Sequence, residues 1–233
     1  MHIRTNHLTR NIWYLNLHDA ACKDIQIIET IKFLGVHVDS HLTWNEHIHE
    51  LSLKLKKYVY LMKKLVKYCD IASLKSVYFS YFQSQLLYCL PCWGSTFNCN
   101  VIKIFRLQKK IVRIMTKKSA LESCRPLFKE LHILPFPSLI IRECCLSVKR
   151  NLTIHDFKTM SHRYETRVKH NSKVATDNMI RSKAPSNFCK CLYNKLPEKI
   201  LQCTYYNDFK RQLDKFLYQE EFYSIEEFMS TDN

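Results

Sequence analysis

Glycine is almost missing from this chain, with two residues in 233, and proline is sparse at six. Tight hairpins and short-strand sandwiches draw on both, so their scarcity favours long helices over many short strands. Two glycines cannot build a phosphate-cradling loop, and no G-x-S-x-G nucleophile elbow occurs. No two aspartates are adjacent. Two-metal nucleotidyl transfer gathers carboxylates around its ions, so the residues by themselves offer no catalytic site. Acids are nearly absent from residues 51–121, which hold fourteen Lys or Arg and only Asp70, a net +13. The longest uncharged run, Ser76 to Ile102, is broken by Ser80, Gln83, Ser84, Gln85, Pro91 and Asn98. It therefore reads as a helix and loop buried in protein rather than a membrane span, and the expectation adopted for partners includes no membrane.

What is present is positive charge and apolar periodicity. The net charge is +15 and hydrophobic residues make up 46%, enough for a real core. From Asp214 to Asn233 the balance reverses to six acids and one Lys, a net −5. A basic body with an acidic tail suits a polyanion-binding module, with nucleic acid as the leading partner and an anionic membrane surface or an acidic protein as rivals; the chain's own tail is a further candidate for the basic faces. The 11 cysteines are odd in number, lie mostly in apolar segments and follow no secretory signal, which predicts an intracellular, reduced chain. Cys89, Cys92 and Cys99 make half of a zinc pattern without an evident fourth ligand. Cys189, Cys191 and Cys203 are spaced less well. His37, His41, His47 and His49 crowd together with no carboxylate or thiol at a ligand interval, so no metal is expected.

The strongest pattern begins at Ile48. Apolar residues at Ile48, Leu51, Leu55, Tyr58, Met62, Leu65 and Cys69 step by three and four, which is one face of a helix. Lys56, Lys57, Lys63, Lys64 and Lys67 fall roughly opposite. Thr43 or Asn45 is the expected N-cap, and Thr43 with Glu46 has the spacing of a capping box. Asp70 is expected to cap a second helix through Leu74, Val77, Tyr78, Tyr81, Phe82, Leu86 and Cys89, buried on most sides and ended by Pro91 and Gly94. A third helix, about 100–116, repeats the two-sided design. Ile104, Phe105, Gln108, Ile111, Val112 and Met115 form its packing side, and Lys103, Arg106, Lys110, Arg113 and Lys117 its basic stripe.

Upstream, IWYLNL and DIQIIETIKFLGVHVD predict two or three short strands with Gly35 at a bend. Downstream, helices are expected at 126–131, at 138–149 from a Ser138 cap, and at 186–194 and 207–218. Residues 161–185, with a net positive charge, read as a mobile linker. The expected fold is therefore mainly α. Short β segments in 1–40 precede a helical bundle over 41–120, an extension over 121–160, the linker, and terminal helices with an acidic tail over 186–233.

Several segments together resemble a known family. IKFLGVHVDSHLTWNEHI followed by a Lys-rich helix resembles the region after the polymerase active site in reverse transcriptases of non-long-terminal-repeat retrotransposons, particularly jockey-like elements. LKSVYFSYFQSQLLYCLPCWGS resembles that family's helix ending in Tyr-Gly and Trp-Gly, with Cys89 in place of the usual glycine. IFRLQKKIVRIM, SCRPLFKELHILPFPSLIIRECCLSV, RYETR, LYNKLP and FKRQLDKFL with FYSIEEFM resemble further segments in the same order, so the likeness spans about residues 30–229.

The resemblance implies a palm edge at 31–39, where Phe33, Leu34, Gly35 and Val36 pack and bend a hairpin that supports the primer end, followed by a thumb. Fingers, most of the palm and the Tyr/Phe-x-Asp-Asp motif are not matched. What it implies is thus a C-terminal fragment that binds RNA or DNA duplex or hybrid but is not catalytic alone. The parent polymerase would use Mg2+, and this portion no cofactor. A missing palm and fingers chain is a further implied partner. The rival reading is a non-enzymatic basic helical interaction module for an acidic protein, or a relic that folds poorly by itself.

Overall fold

The computed structural model describes residues 28–96, 98–151 and 185–231. It is mainly helical, with one two-stranded antiparallel sheet ahead of the helices. The strands expected before residue 28 and the linker over 161–184 lie outside the described residues. Strand β1 (Thr30–Phe33) pairs with β2 (Val36–Asp39), Thr30 opposite Asp39 and Phe33 opposite Val36. The connection is two residues long, Leu34 at φ 46° and Gly35 at φ 83°. Two successive positive φ values match the right-handed strand twist, and Gly35 is the bend that the sequence suggests.

Helix α1 (Asn45–Leu65) starts differently from expectation. Its N-cap is Trp44 in the left-handed region, and no side chain caps the helix from that position. The Thr43–Glu46 capping box does not form. Asp39, at the end of β2, instead accepts the backbone N–H groups of His41 (3.1 Å), Thr43 (2.9 Å) and Trp44 (2.7 Å). Burial alone raises the Asp39 pKa, but those hydrogen bonds outweigh it and hold the carboxyl below its usual value. The buried stripe of α1 runs through Ile48, Leu51, Ser52, Leu55, Val59 and Met62. Val59 takes the place expected for Tyr58, which is only half-buried along with Leu65 and Cys69. Each aliphatic side chain so buried contributes about 1.5–3 kcal/mol relative to exposure.

Asp70 caps the second helical run as expected, accepting Ser73 N–H at 3.3 Å. The run is α2 (Ile71–Val77), a π-helical segment (Tyr78–Gln83) and a last turn α3 (Ser84–Leu87). Burial is confined to Leu74, Tyr78, Phe82 and Leu86, a strict four-residue step. An α-helix drifts away from that step, whereas a locally wider turn keeps all four on one line. On the outer side Ser76, Ser80 and Ser84 donate to the carbonyls four residues back. Ile71, Phe79, Tyr81 and Tyr88 are exposed, so this helix is one-sided rather than buried on most sides. It also ends before Pro91: Tyr88 is extended, Cys89 turns left-handed at φ 51°, and Pro91 opens the next turn, α4 (Leu90–Trp93).

Helix α5 (Asn98–Met115) buries Ile104, Phe105, Gln108, Ile111, Val112 and Met115, the side that periodicity selects. It lies along α1, and Asn100 Nδ2 joins their starts by donating to Asn45 Oδ1 and Thr96 Oγ1, both at 2.9 Å. Helix α6 (Arg125–Leu131) turns through a left-handed His132 into α7 (Phe136–Asn151). Ser138 is not a cap but sits inside α7, fully buried, donating to the Phe222 carbonyl at 3.1 Å.

Helix α7 is the central support, packed by α4, α5, α8 (Pro185–Asn194), α10 (Tyr206–Glu220) and α11 (Ile225–Ser230). The single turn α9 (Glu198–Leu201) joins α8 to α10. Arg142 of α7 clamps Asp214 of α10 with Nε–Oδ1 at 2.6 Å and Nη2–Oδ2 at 3.2 Å. One apolar core runs from Val36 to Phe228.

Candidate nucleic-acid interface

The basic residues of α1 owe their position to the stripe opposite them. Because Ile48, Leu55, Val59 and Met62 face the core, Lys56, Lys57, Lys63 and Lys64 are carried to solvent, and Lys67 follows in the turn after the helix. All five are exposed, and among the described residues no acid lies within ion-pair distance of any of them. One of them has an aromatic neighbour: Lys64 Nζ lies 5.4 Å from the ring centroid of Tyr60. Tyr60 itself is 63% exposed. Its spacing from Lys56, Lys57, Lys63 and Lys64 is four, three, three and four, so it sits at the middle of the cationic face. The sequence pattern contained that placement, but attention to charge and to the apolar stripe passed it over.

On α5, Lys103, Arg106 and Lys110 are exposed on the side away from the core. The remaining two members of that stripe differ. Arg113 is half-buried and donates through Nε to the Glu122 carbonyl at 2.9 Å, so it helps hold the loop after α5. Lys117 lies beyond the helix at φ 55°. There Lys117 N–H donates to Ile114 and Lys118 N–H to Arg113, a Schellman closure whose left-handed position is usually glycine. The helical part of the stripe thus runs from Lys103 to Arg113, ten residue steps or roughly 15 Å.

Among the described residues the acids of the tail are engaged away from these faces. Glu227 pairs with Arg125 at 3.2 Å, Glu226 accepts from Asn98 at 3.0 Å, and Asp214 is held by Arg142. A tail-covered basic face requires acids on the lysines, and these three lie elsewhere.

The hairpin residues divide. Val36 is buried, and Gly35 makes the bend, where an added Cβ would come within 3.8 Å of the Tyr88 ring. Phe33 and Leu34, expected to pack, are exposed at the tip. The tip is held from below by Tyr88, whose hydroxyl donates to the Leu34 carbonyl. Trp93 lies deeper, fully buried, with Nε1 donating to the Tyr88 carbonyl at 2.8 Å and its ring against His47 (5.3 Å) and Phe136 (6.0 Å). His47 Nε2 has no hydrogen-bond partner among the described residues, and burial pushes its pKa down to about 4, assisted by His37 and Lys54.

Among the described residues no three His, Cys, Asp or Glu side chains converge on a point where they could hold a metal. Cys89 is half-buried, while Cys92 and Cys99 are exposed. The described carboxylates are dispersed, Asp39 on backbone amides, Asp214 and Glu227 on arginines, so they do not fit the magnesium site of a polymerase. No single helix among the described residues is long and apolar enough to cross a membrane. No known protein family, curated protein or solved structure matches the chain.

Proposed function

We propose that this chain binds template and primer nucleic acid through backbone phosphates, as the thumb and downstream part of a jockey-like reverse transcriptase, and supplies no polymerase chemistry by itself. The observation that carries the reading is the solvent face of α1 and the turn after it: five exposed lysines, Lys56, Lys57, Lys63, Lys64 and Lys67, with no acidic partner among the described residues. A face meant only for solubility is normally interleaved with Glu, whereas unneutralised charge of one sign suits a chain of phosphates. The backbone at Cys89 lends support. It is left-handed at the position where the resemblance expects glycine, the residue that adopts this conformation without steric cost. The exposed hairpin tip, Phe33 and Leu34, is placed so that it is free to meet another surface.

The test is binding of the purified chain to an RNA–DNA hybrid duplex over a salt series, with primer extension followed in the same tubes. Affinity is expected to fall steeply with salt, to be competed equally by unrelated sequences, and to be unaccompanied by extension. Replacing Lys56, Lys57, Lys63, Lys64 and Lys67 by Ala is expected to flatten the log–log slope by roughly 0.9 for each lost phosphate contact. Unchanged affinity in that variant removes α1 as the interface, and extension by the wild-type chain contradicts the non-catalytic assignment.

A further inference from the structure

We infer that Tyr60 is a stacking platform for an unpaired base, so that the lysine face of α1 takes a single-stranded stretch of nucleic acid in preference to continuous duplex. The inference rests on the reading that this face binds phosphates. At about 100° per residue four of the five lysines of α1, Lys56, Lys57, Lys63 and Lys64, fall within roughly 60° of Tyr60 around the helix axis, and the fifth, Lys54, lies about 120° away. The ring stands 63% exposed at their centre, and Lys64 Nζ lies over it at 5.4 Å.

A platform for a single strand needs two things at once: an open aromatic face for a base and cations on either side for the flanking phosphates. Lys56 and Lys57 lie one turn before the ring and Lys63 and Lys64 one turn after it, so cations flank it in both directions along the axis. From Lys56 to Lys64 is eight residue steps, or about 12 Å, a length that matches roughly two nucleotides of extended strand. Duplex bases are already paired and stacked on one another, so they present phosphates to the lysines but no free base face to Tyr60. Leu53, exposed on the same side two turns before Tyr60, extends the apolar line on which a second base can rest.

The experiment measures binding of oligothymidylate of about 12 nucleotides, a length within the range one small domain covers, and of a longer uninterrupted duplex. Wild type, Tyr60→Ala and Tyr60→Phe are compared at several salt concentrations by fluorescence anisotropy. Circular dichroism checks that the exposed substitution leaves the helix intact. Tyr60→Ala is expected to weaken single-strand binding roughly 5- to 100-fold. Duplex binding and the single-strand salt slope are expected to stay unchanged, because no charge is removed, and Tyr60→Phe is expected to retain the affinity.

Equal affinities of wild type and Tyr60→Ala for the single strand overturn the inference. So does a parallel loss on single strand and duplex with an altered salt slope, which makes the ring a spacer for the lysines. Absence of binding by wild type to either nucleic acid at low salt overturns the phosphate reading as well, and that result differs from failure of the Tyr60 assignment alone.

Discussion

Gln108 of α5 donates through Nε2 to the hydroxyl of Tyr78 in the π-helical segment, at 2.9 Å, in a place where both side chains are wholly buried. The same amide donates to the Leu134 carbonyl at 2.9 Å and accepts the Phe136 N–H at 2.7 Å. One glutamine thereby ties the second helical run, α5 and the start of α7. Burial pushes the Tyr78 phenol well above its usual range although the Gln108 hydrogen bond opposes the shift, so Tyr78 is neutral at any ordinary pH.

Gln108→Leu is expected to destabilise the fold by about 2–4 kcal/mol, because it strands the Leu134 carbonyl and the Phe136 N–H without partners. Tyr78→Phe is expected to cost less, about 1 kcal/mol, since Gln108 keeps its other two partners. Urea unfolding of both variants gives the comparison, and a Gln108→Leu loss below about 0.5 kcal/mol means that water or a rearrangement satisfies those groups.

Acid should weaken the protein partly through His47. Its folded-state pKa, about 4, is below its ordinary value of 6.5, so between those values the unfolded chain binds a proton that the folded chain refuses. The contribution of His47 is therefore intact above pH 6.5 and is lost as the pH falls toward about 4. After allowance for residual solvent screening the loss is on the order of 2 kcal/mol. His47→Leu should flatten that part of the stability-against-pH curve relative to wild type, and parallel curves would remove His47 as a cause.

Left-handed backbone in residues with a Cβ is a reservoir of stability. Cys89→Gly and Lys117→Gly are each expected to raise stability by about 1 kcal/mol in thermal unfolding, because φ is 51° and 55° at these positions. Gly94→Ala should act in the opposite direction for a different reason. Its backbone is ordinary, but an added Cβ meets the Leu90 carbonyl at 2.7 Å and Ile140 Cγ2 at 3.2 Å. A loss of about 1–3 kcal/mol is expected, and a neutral Gly94→Ala would show that α4 can shift away from α7.

Much of the helical order was legible because an amphipathic stripe is a local property. The packing side of α5, the Asp70 cap and the bend at Gly35 follow from residues within one or two turns of each other. Where expectation and structure part, the competing partner lies outside the helix itself. Asp39 captures the amides at the start of α1 from the preceding strand, so Thr43 and Glu46 are not needed as a box. Ser138 reads as a cap by type, yet its hydroxyl is matched to the Phe222 carbonyl, 84 residues away. The uncharged run after Asp70 suggested burial on most sides, but only one line of it meets α5 and the core.

Glycine scarcity illustrates the same division. Low glycine predicted long helices, and the helices are there. It did not remove the turns: among the described residues seven non-glycine residues take positive φ, from Leu34 to Glu221. Their local cost is tolerated because the strands and helices they join are held against a common core.

By itself the amino-acid sequence determined that the chain is mainly helical, that lysines oppose the apolar side of α1, and that Gln108 and Ile104 share a face, since each depends only on spacing along a helix. Tertiary structure alone decided that the acidic tail folds back onto Arg125 and Arg142 and that, among the described residues, no acid reaches the lysines of α1. It also decided that Phe33 and Leu34 stand exposed above Tyr88. Those outcomes depend on which distant side chains reach one another when α7 gathers the helices, and spacing along the chain carries no record of that.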